Sequence, residues 1–327
     1  MEFLSLPEPF RIQVLKNLDW KSLINAKLVS RGLYLTIEKN INFMDRPKIK
    51  NLGIYCDKKL DDKEIIRVRY SIFPENCILR KRLKVIHFED LNEYEQFLQK
   101  LDFSKLDYLH FRICDTSDVV GIFNKYYCGG NYIETFVLDD TGESEKKNAN
   151  NVLNLISKIK DVGKMYLTLN FPFQKLPMSF MFPEMGSLKE FSIEEKNGTR
   201  LITTKMIINI INNNPGMAYF KVSTDSESFY MKVTECIFEL EAFNMENRCS
   251  HTPFEISFFN ITNFTLSEER FYRELFNKFN NRSDFEVTND NGNYNFKKTV
   301  ECSKCKIQHL NLISYDCDLK IVKIVFM

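Results

Sequence analysis

Four residues near the end of the chain are of the types that bind zinc. Cys302 and Cys305 are separated by two residues, and His309 and then Cys317 follow. Three thiolates and one imidazole can form a tetrahedral zinc site. However, the segment alternates between polar and apolar residues as a strand does, and a CxxC motif without a second close pair is a poor indicator of zinc. We therefore interpret these residues as strand residues with ordinary packing and predict no metal site.

Residue patterns for other chemistry are sparse. The sequence has 4 histidines, and none lies in a metalloprotease motif or in a pattern that pairs a base with a nucleophile. Gly129-Gly130 alone is typical of a turn, so no phosphate-binding glycine loop is predicted, and no nucleophile elbow is present. We interpret the carboxylate pairs Asp61-Asp62 and Asp139-Asp140 as solvated residues at loop edges. The sequence therefore predicts a protein with no catalytic residues and no cofactor.

The bulk properties exclude several classes of function. The 327 residues carry a formal net charge of +1, whereas nucleic-acid-binding domains are usually basic. The chain has no stretch of about 18 apolar residues that would span a membrane, and its first residues lack the pattern of a signal peptide. The 9 cysteines are then expected to be reduced thiols. We predict a cytoplasmic or nuclear protein that binds neither nucleic acid nor membrane.

The densest basic run is Arg80-Lys81-Arg82-Leu83-Lys84, and Arg67 and Arg69 lie close to it in sequence. Such a run is usually a solvated face. The alternative is a contact with an anion or a phosphopeptide, because clustered guanidinium groups pair well with phosphate. We interpret the run as a solvated face, and the sequence leaves the second interpretation open.

The N-terminal segment predicts three short helices. Pro7 is tolerated in a first helical turn, where its missing N–H has no helical partner. Phe10, Val14 and Leu18 recur at four-residue steps and define one helical face. Asp19 or Ser22 can cap a second helix. A unit of about 40 residues rarely folds alone, so its apolar residues must pack on the following domain or on another protein.

The order of residues in this segment resembles the F-box motif. The matching strings are Leu6-Pro7-Glu8, Val14-Leu15, Leu18-Asp19, Leu23 and Leu28-Val29-Ser30-Arg31. Leu33 departs from the motif, which usually has an aromatic residue at this position, and Tyr34 is adjacent. The resemblance extends over about residues 4 to 40. The string Phe43-Met44-Asp45-Arg46-Pro47 is also similar to the expanded nematode F-box families.

The resemblance implies a three-helix module that docks on a Skp-type adaptor in a Skp–cullin–F-box ubiquitin ligase. Residues 1–45 would form this F-box, and residues 46–327 would form a substrate-binding domain. The docking residues implied by position are Leu6, Pro7, Phe10, Val14, Leu15, Leu18, Leu23, Ile24, Leu28 and Val29. The resemblance leaves the substrate-binding residues unassigned.

Apolar alternating segments recur through the body of the chain, with helical patterns between them. These segments begin at Leu83, Leu106, Tyr132, Val162, Leu188 and Met217, and Ile49 to Ile54 and Phe254 to Phe259 can extend the series at wider spacing. Because each unit has apolar surface that it cannot bury alone, neighbouring units must stack. The pattern predicts an α/β fold in which the F-box precedes a degenerate leucine-rich-repeat-like β/α solenoid. Residues 293–327 would form a strand-rich C-terminal cap. The alternative is a compact α/β sheet domain with the same alternation.

Several polar side chains of these segments are predicted to point outward. They are Lys84, His87, Asp107, His110, Glu134, Lys189 and Glu190. An error of one residue in register would reverse the face, so the sequence does not assign it. Their mixture of charges and sizes favours recognition of a protein over recognition of one small ligand.

Three functional hypotheses follow. The first is a non-catalytic substrate-recognition adaptor of a Skp–cullin–F-box ubiquitin ligase, which binds a Skp-type adaptor directly, a cullin scaffold indirectly and an unknown protein target. The second is an interaction scaffold that uses the same docking module outside a ligase. The third, which we disfavour, is an enzyme with a zinc site at Cys302, Cys305, His309 and Cys317.

Overall fold

The structure is a computed structural model of the chain. It describes residues 3–58, 64–73, 83–113, 118–140, 148–172, 174–177, 179–214, 217–224, 229, 232–233, 254–259, 277, 286–290, 293–301, 306, 308–316 and 321–326.

Three helices form the N-terminal unit, namely α1 (Glu8–Leu15), α2 (Trp20–Val29) and α3 (Arg31–Lys39). The side chain of Asp19 caps α2 by accepting hydrogen bonds from two backbone N–H groups of its first turn, at 2.9 and 3.0 Å. The Ser30 hydroxyl caps α3 by accepting from the Leu33 N–H at 3.2 Å. Such caps satisfy donors that have no partner within the helix.

The N-terminal unit has a small core of its own. Leu15, Leu23 and Ile37 pack with Ile41 and Met44, and all five side chains are buried. This cluster is separate from the core of the remaining chain. Burying one such side chain contributes about 1.5–3 kcal/mol, so the three helices are held together mainly by these residues.

The body consists of a sheet and the helices that connect its central strands. The helices are α4 (Leu91–Gln99), α5 (Val119–Tyr126), α6 (Ala149–Lys158) and α7 (Thr204–Asn213). The strands are β1 (Lys48–Lys58), β2 (Glu64–Phe73), β3 (Lys84–Phe88), β4 (Tyr108–Ile113), β5 (Tyr132–Asp140), β6 (Asp161–Leu169), β7 (Glu190–Glu195), β8 (Tyr219–Ser223), β9 (Phe254–Phe259), β10 (Glu286–Asp290), β11 (Asn293–Glu301), β12 (Gln308–Asp316) and β13 (Ile321–Phe326). The prediction of a mixed α/β fold is therefore confirmed.

The centre of the sheet is parallel and follows the order of the chain. Strands β4 to β9 lie side by side in sequence order, and each is parallel to the next. On one side, β1 pairs in parallel with β4 and begins an antiparallel meander with β2 and β3. On the other side, β13, β12, β11 and β10 extend the sheet with antiparallel pairs.

The segment that begins at Leu83 differs from what the sequence predicts. The sequence predicts it as one of the stacked strand–helix units, but its strand β3 pairs antiparallel with β2. The parallel neighbour of β4 is instead β1, which lies earlier in the chain. A long hairpin thus takes the place of a strand–helix unit, because β1 and β2 pair with each other over almost their whole length.

The parallel strands share one pattern of buried residues. In each of five consecutive units, three apolar residues at positions i, i+3 and i+5 are buried. These triplets are Leu106, Leu109 and Phe111; Ile133, Phe136 and Leu138; Val162, Met165 and Leu167; Leu188, Phe191 and Ile193; and Met217, Phe220 and Val222. The second and third members of each triplet are aligned across the neighbouring strands.

The helices cover one face of the sheet. Buried residues of α4 to α7 belong to the same core cluster as the buried strand residues. Tyr94 of α4 is fully buried, and its hydroxyl donates to the Val119 carbonyl at the start of α5, at 3.2 Å. Between α5 and α6, the Asp118 carboxylate caps α5 and also accepts a hydrogen bond from the Asn151 side-chain amide of α6 at 2.7 Å. Successive helices are therefore linked by polar contacts as well as by packing.

A small ion-pair network links the N-terminal unit to the body. Glu38 of α3 binds Lys27 at 2.6 Å and Lys100, after α4, at 3.2 Å. Burial alone would raise the pKa of the Glu38 carboxyl, but the hydrogen bonds and charges of the two lysines outweigh it, so this pKa is lowered. Arg46 adds a hydrogen bond of 3.1 Å to the Gln99 carbonyl. Within the described ranges, no helix is both long and apolar enough to cross a membrane.

Candidate binding surfaces

The N-terminal helices expose a set of large apolar side chains. Leu28, Val29 and Phe10 are 82%, 76% and 60% exposed. Phe10 and Val14 are one turn apart on α1, and Ile24 and Leu28 are one turn apart on α2, so each pair shares a helical face. We call the following exposed residues the N-terminal apolar surface: Leu4, Pro7, Phe10, Val14, Ile24, Leu28, Val29, Tyr34, Leu35 and Phe43.

The docking residues implied by the F-box resemblance divide into two groups. Leu15 and Leu23 are buried in the core of the N-terminal unit, and Leu18 packs against that core. Leu6 is half-buried. Pro7, Phe10, Val14, Ile24, Leu28 and Val29 are exposed. Thus Leu15 and Leu23 hold the helices in place, whereas the exposed group is accessible to another protein.

Four residues of the N-terminal apolar surface lie outside the implied docking set. They are Leu4, Tyr34, Leu35 and Phe43. Leu35 lies two residues before the buried Ile37 on α3, so alternate faces of one short helix are apolar. Apolar residues on both faces of this small helix are the sequence signal that could have identified Tyr34 and Leu35, since only one face can be covered by the core of the unit.

The face of the sheet opposite the helices is polar, and we call it the open face. Strand registers align its side chains in rows across the sheet. One row runs through His87, Arg67, Tyr55, Arg112, Asp139, Thr168 and Glu194. The row is basic and aromatic at the β2–β1–β4 end and acidic further along.

Tyr55 gathers three guanidinium groups at the basic end. The guanidinium carbons of Arg67, Arg69 and Arg112 lie 5.2, 5.3 and 5.8 Å from the centre of the Tyr55 ring. Gly53 makes the space for this ring, because a Cβ atom there would lie 2.6 Å from the ring and from its hydroxyl. We call Tyr55 and these three arginines the arginine cluster.

Two carboxylates neutralise part of the cluster. Asp57 pairs with Arg67 at 2.9 Å, and Asp139 pairs with Arg112 at 3.4 Å. Among the residues that the structure describes, no carboxylate lies within ion-pair distance of Arg69. The Nε atom of Arg67 is buried and has no hydrogen-bond partner in the same part of the chain. The cluster thus keeps one net positive charge and one buried donor without an acceptor.

His110 lies beside the cluster between two tyrosines. Its Nδ1 atom is 3.2 Å from the Tyr55 hydroxyl and 3.3 Å from the Tyr108 hydroxyl. Burial lowers the pKa of His110, the charge of Arg112 lowers it further, and Asp139 opposes both. The imidazole is therefore neutral at pH 7 and contributes no charge to the cluster.

The acidic side chains further along the face are hydrogen-bonded to their neighbours. Glu190 accepts from Lys164 at 2.6 Å and also from the Tyr166 hydroxyl. The hydrogen bond from Lys164, followed by that from Tyr166, lowers the pKa of Glu190. Burial, together with the bond to Glu190, raises the pKa of Tyr166 to about 12. These contacts fix the carboxylate in its charged form.

The side chains predicted to point outward occupy different places. His87, His110 and Glu190 lie on the open face. Lys84 instead lies over the Tyr70 ring, 5.9 Å from its centre, on the helix side of β3. The remaining three lie near strand starts, where Asp107 pairs with Lys50, Glu134 accepts from the Tyr132 hydroxyl at 2.5 Å, and Lys189 is exposed.

The sequence did not identify the arginine cluster as a unit. Arg67 and Arg69 were noted only as neighbours of the basic run at residues 80–84, of which residues 80–82 lie outside the described ranges. Two arginines at alternate positions of one strand share a face, and this was the available signal. Their proximity to Tyr55 and Arg112 depends on strand pairing, which the sequence did not reveal.

Of the four candidate zinc ligands, the structure describes only one. Cys302, Cys305 and Cys317 lie outside the described residues, and His309 belongs to β12. Among the residues that are described, no group of three or more His, Cys, Asp or Glu side chains could hold a metal ion.

Comparison with known proteins gave no match, since no family model, curated protein or solved structure is similar to this chain.

Proposed function

We propose that this protein is a substrate-recognition subunit of a Skp–cullin–F-box ubiquitin ligase. The N-terminal unit would be the F-box and would dock on a Skp-type adaptor, and the body would bind the protein target. The chain would supply proximity between target and ligase, without chemistry of its own, in the cytoplasm or the nucleus.

One observation carries the proposal: most docking residues implied by the F-box resemblance are exposed, although they are large and apolar. Exposure to water does not stabilise the side chains of Phe10, Leu28 and Val29. Burying each of them against a partner would contribute about 1.5–3 kcal/mol to the free energy of binding. Leu15 and Leu23 already provide a core, so the helices do not need these residues to pack. Clusters of exposed apolar residues are characteristic of protein–protein interaction sites.

The body supports the second half of the proposal. Its parallel strands follow the chain order, and the buried i, i+3, i+5 triplets match the first part of the leucine-rich-repeat pattern. Asn170 is buried at the position where that pattern has asparagine, three residues after Leu167. We therefore favour a degenerate leucine-rich-repeat-like solenoid with an antiparallel cap at β10–β13. Its polar open face would be the recognition surface.

Co-purification of the full chain with a Skp-type adaptor tests the proposal. We expect Leu28→Asp to reduce adaptor binding at least about tenfold, because a charge would enter an apolar interface. Asn154→Asp is a matched control, since it adds the same charge at an exposed position on α6 of the body, away from the N-terminal apolar surface. Equal binding by both variants would contradict the proposed docking mode. Adaptor binding without recruitment of a cullin would instead support a scaffold outside the ligase.

A further inference from the structure

We infer that the arginine cluster binds an oxyanion, a carboxylate or a phosphoryl group, on an acidic segment of a target protein. The identity of this segment as part of a ligase target rests on the proposed function. The binding chemistry rests on the open face alone.

The cluster has the composition and geometry of an anion site. Guanidinium groups present planar sets of donors that match the oxygen pairs of carboxylates and phosphates. Arg67, Arg69 and Arg112 all lie within 5.8 Å of the centre of one ring. Because Gly53 lets that ring lie close against the sheet, the guanidinium groups surround a common platform.

The charges of the cluster are incompletely matched. Asp57 and Asp139 pair with Arg67 and Arg112, whereas Arg69 is exposed and has no carboxylate partner within the described part of the chain. The buried Arg67 Nε atom also has no acceptor there. A bound oxyanion would pair with Arg69 and, after a small movement of the Arg67 side chain, would supply that acceptor.

The rest of the open face favours a protein segment over a nucleic acid. Asp139, Glu190 and Glu194 lie on the strands that follow the cluster. Each of these carboxylates is paired with a basic side chain, namely Arg112, Lys164 or Lys196, so these described strands offer no row of unpaired positive charge to the successive phosphates of a nucleic acid. A peptide with one acidic site needs positive charge only at the arginine cluster.

Fluorescence polarisation with the full chain tests the inference. The probes are three pools of labelled peptides with random flanks and a central phosphoserine, glutamate or glutamine. We expect the phosphoserine or the glutamate pool to bind at least about tenfold more tightly than the glutamine pool. Comparison of the two acidic pools identifies the source of the oxyanion.

Substitutions locate the site. Arg69→Ala should weaken binding of the preferred acidic pool about tenfold, and Arg69→Lys should restore part of the loss, because lysine keeps the charge but not the paired donors. Lys205→Ala is the matched control. It removes one positive charge from an exposed position on α7, on the opposite face of the sheet, and should leave binding unchanged.

Three results would overturn the inference: equal binding of all pools, equal effects of Arg69→Ala and Lys205→Ala, or tighter binding of an oligouridine or an anionic vesicle at the same arginines. Adaptor co-purification is scored separately on the same preparations. Loss of the preference for acidic peptides with intact adaptor binding refutes only this inference. Binding of acidic peptides without adaptor binding refutes only the proposed function.

Discussion

Two leucines on the same helix allow a paired test of the N-terminal unit. Leu23 and Leu28 both belong to α2, but Leu23 is 2% exposed and Leu28 is 82% exposed. Truncating a buried leucine to alanine removes its transfer free energy and leaves a cavity, which together cost about 2–5 kcal/mol. Truncating a leucine exposed to solvent changes the free energy of unfolding by at most about 0.5 kcal/mol.

We therefore expect Leu23→Ala to destabilise the three helices and Leu28→Ala to leave them folded. Because the unit shares the chain with a much larger core, the assay should be local. Hydrogen exchange of the amides in α1 to α3, measured by mass spectrometry on the full chain, reports the opening of this unit directly. A loss of about 2–5 kcal/mol accelerates exchange from unit-wide opening roughly 30-fold or more.

The paired design also separates folding from docking. Leu28→Ala should weaken adaptor binding while the exchange of α1 to α3 stays as in the unchanged protein. If Leu28→Ala accelerated exchange as much as Leu23→Ala, the exposed residues would be part of the fold and the docking argument would be refuted. If Leu23→Ala had no effect on exchange, the assignment of the core would be wrong.

Three further predictions concern the body of the chain. Gly53→Ala should displace the Tyr55 ring, because the new Cβ atom would lie 2.6 Å from that ring. We expect a loss of about 1–3 kcal/mol in the free energy of unfolding, measured in urea. An unchanged urea midpoint would show that the ring moves freely. Glu195→Ala should cost about 3 kcal/mol or more, because it leaves three donors at a buried position without this acceptor. The Glu195 carboxyl group accepts from the N–H groups of Leu201 and Ile202 at 2.5 and 2.7 Å and from the Thr224 hydroxyl at 2.7 Å. A loss below about 1 kcal/mol would contradict this role. The pKa of His110 is lowered from 6.5, so the unfolded chain binds its proton more readily than the folded chain. The contribution of His110 to stability is therefore fully present above about pH 6.5 and is lost as the pH falls through the lower pKa of the folded state. His110→Gln should reduce the difference between the free energies of unfolding measured in urea at about pH 5 and about pH 8. An identical pH dependence in the variant would refute this prediction.

Local signals explain why much of the N-terminal unit could be predicted. Pro7 immediately precedes the first residue of α1, and Asp19, one of the two predicted caps, caps α2. The burial of individual residues could not be predicted in the same way. Phe10, Val14 and Leu18 were expected to share one helical face, but α1 ends at Leu15, and Leu18 lies beyond the helix. The end of a short helix decides which apolar residues meet the core, and the spacing of residues does not reveal that end.

In the body as well, the local residue pattern predicted individual strands, whereas the pairing of strands that are distant in sequence was not predicted. Alternation of apolar residues identified the strands from β4 to β8, because each is a buried parallel strand beside a helix. Ile49 to Ile54 indicated a strand where β1 lies, but its hairpin with β2 was not predicted, because this pairing depends on contacts between the strands and not on the residue pattern. The arginine cluster was not predicted for the same reason. Tyr55 is distant in sequence from Arg112, and the two residues become neighbours only through the register of β1 on β4.

Docking on a Skp-type adaptor can be tested directly with purified proteins. The full chain is mixed with a purified adaptor of this type, and complex formation is measured by size-exclusion chromatography with light scattering. We predict a one-to-one complex that forms with the unchanged chain and with Asn154→Asp, and that dissociates with Leu28→Asp. A folded, unchanged chain that elutes apart from the adaptor would contradict it.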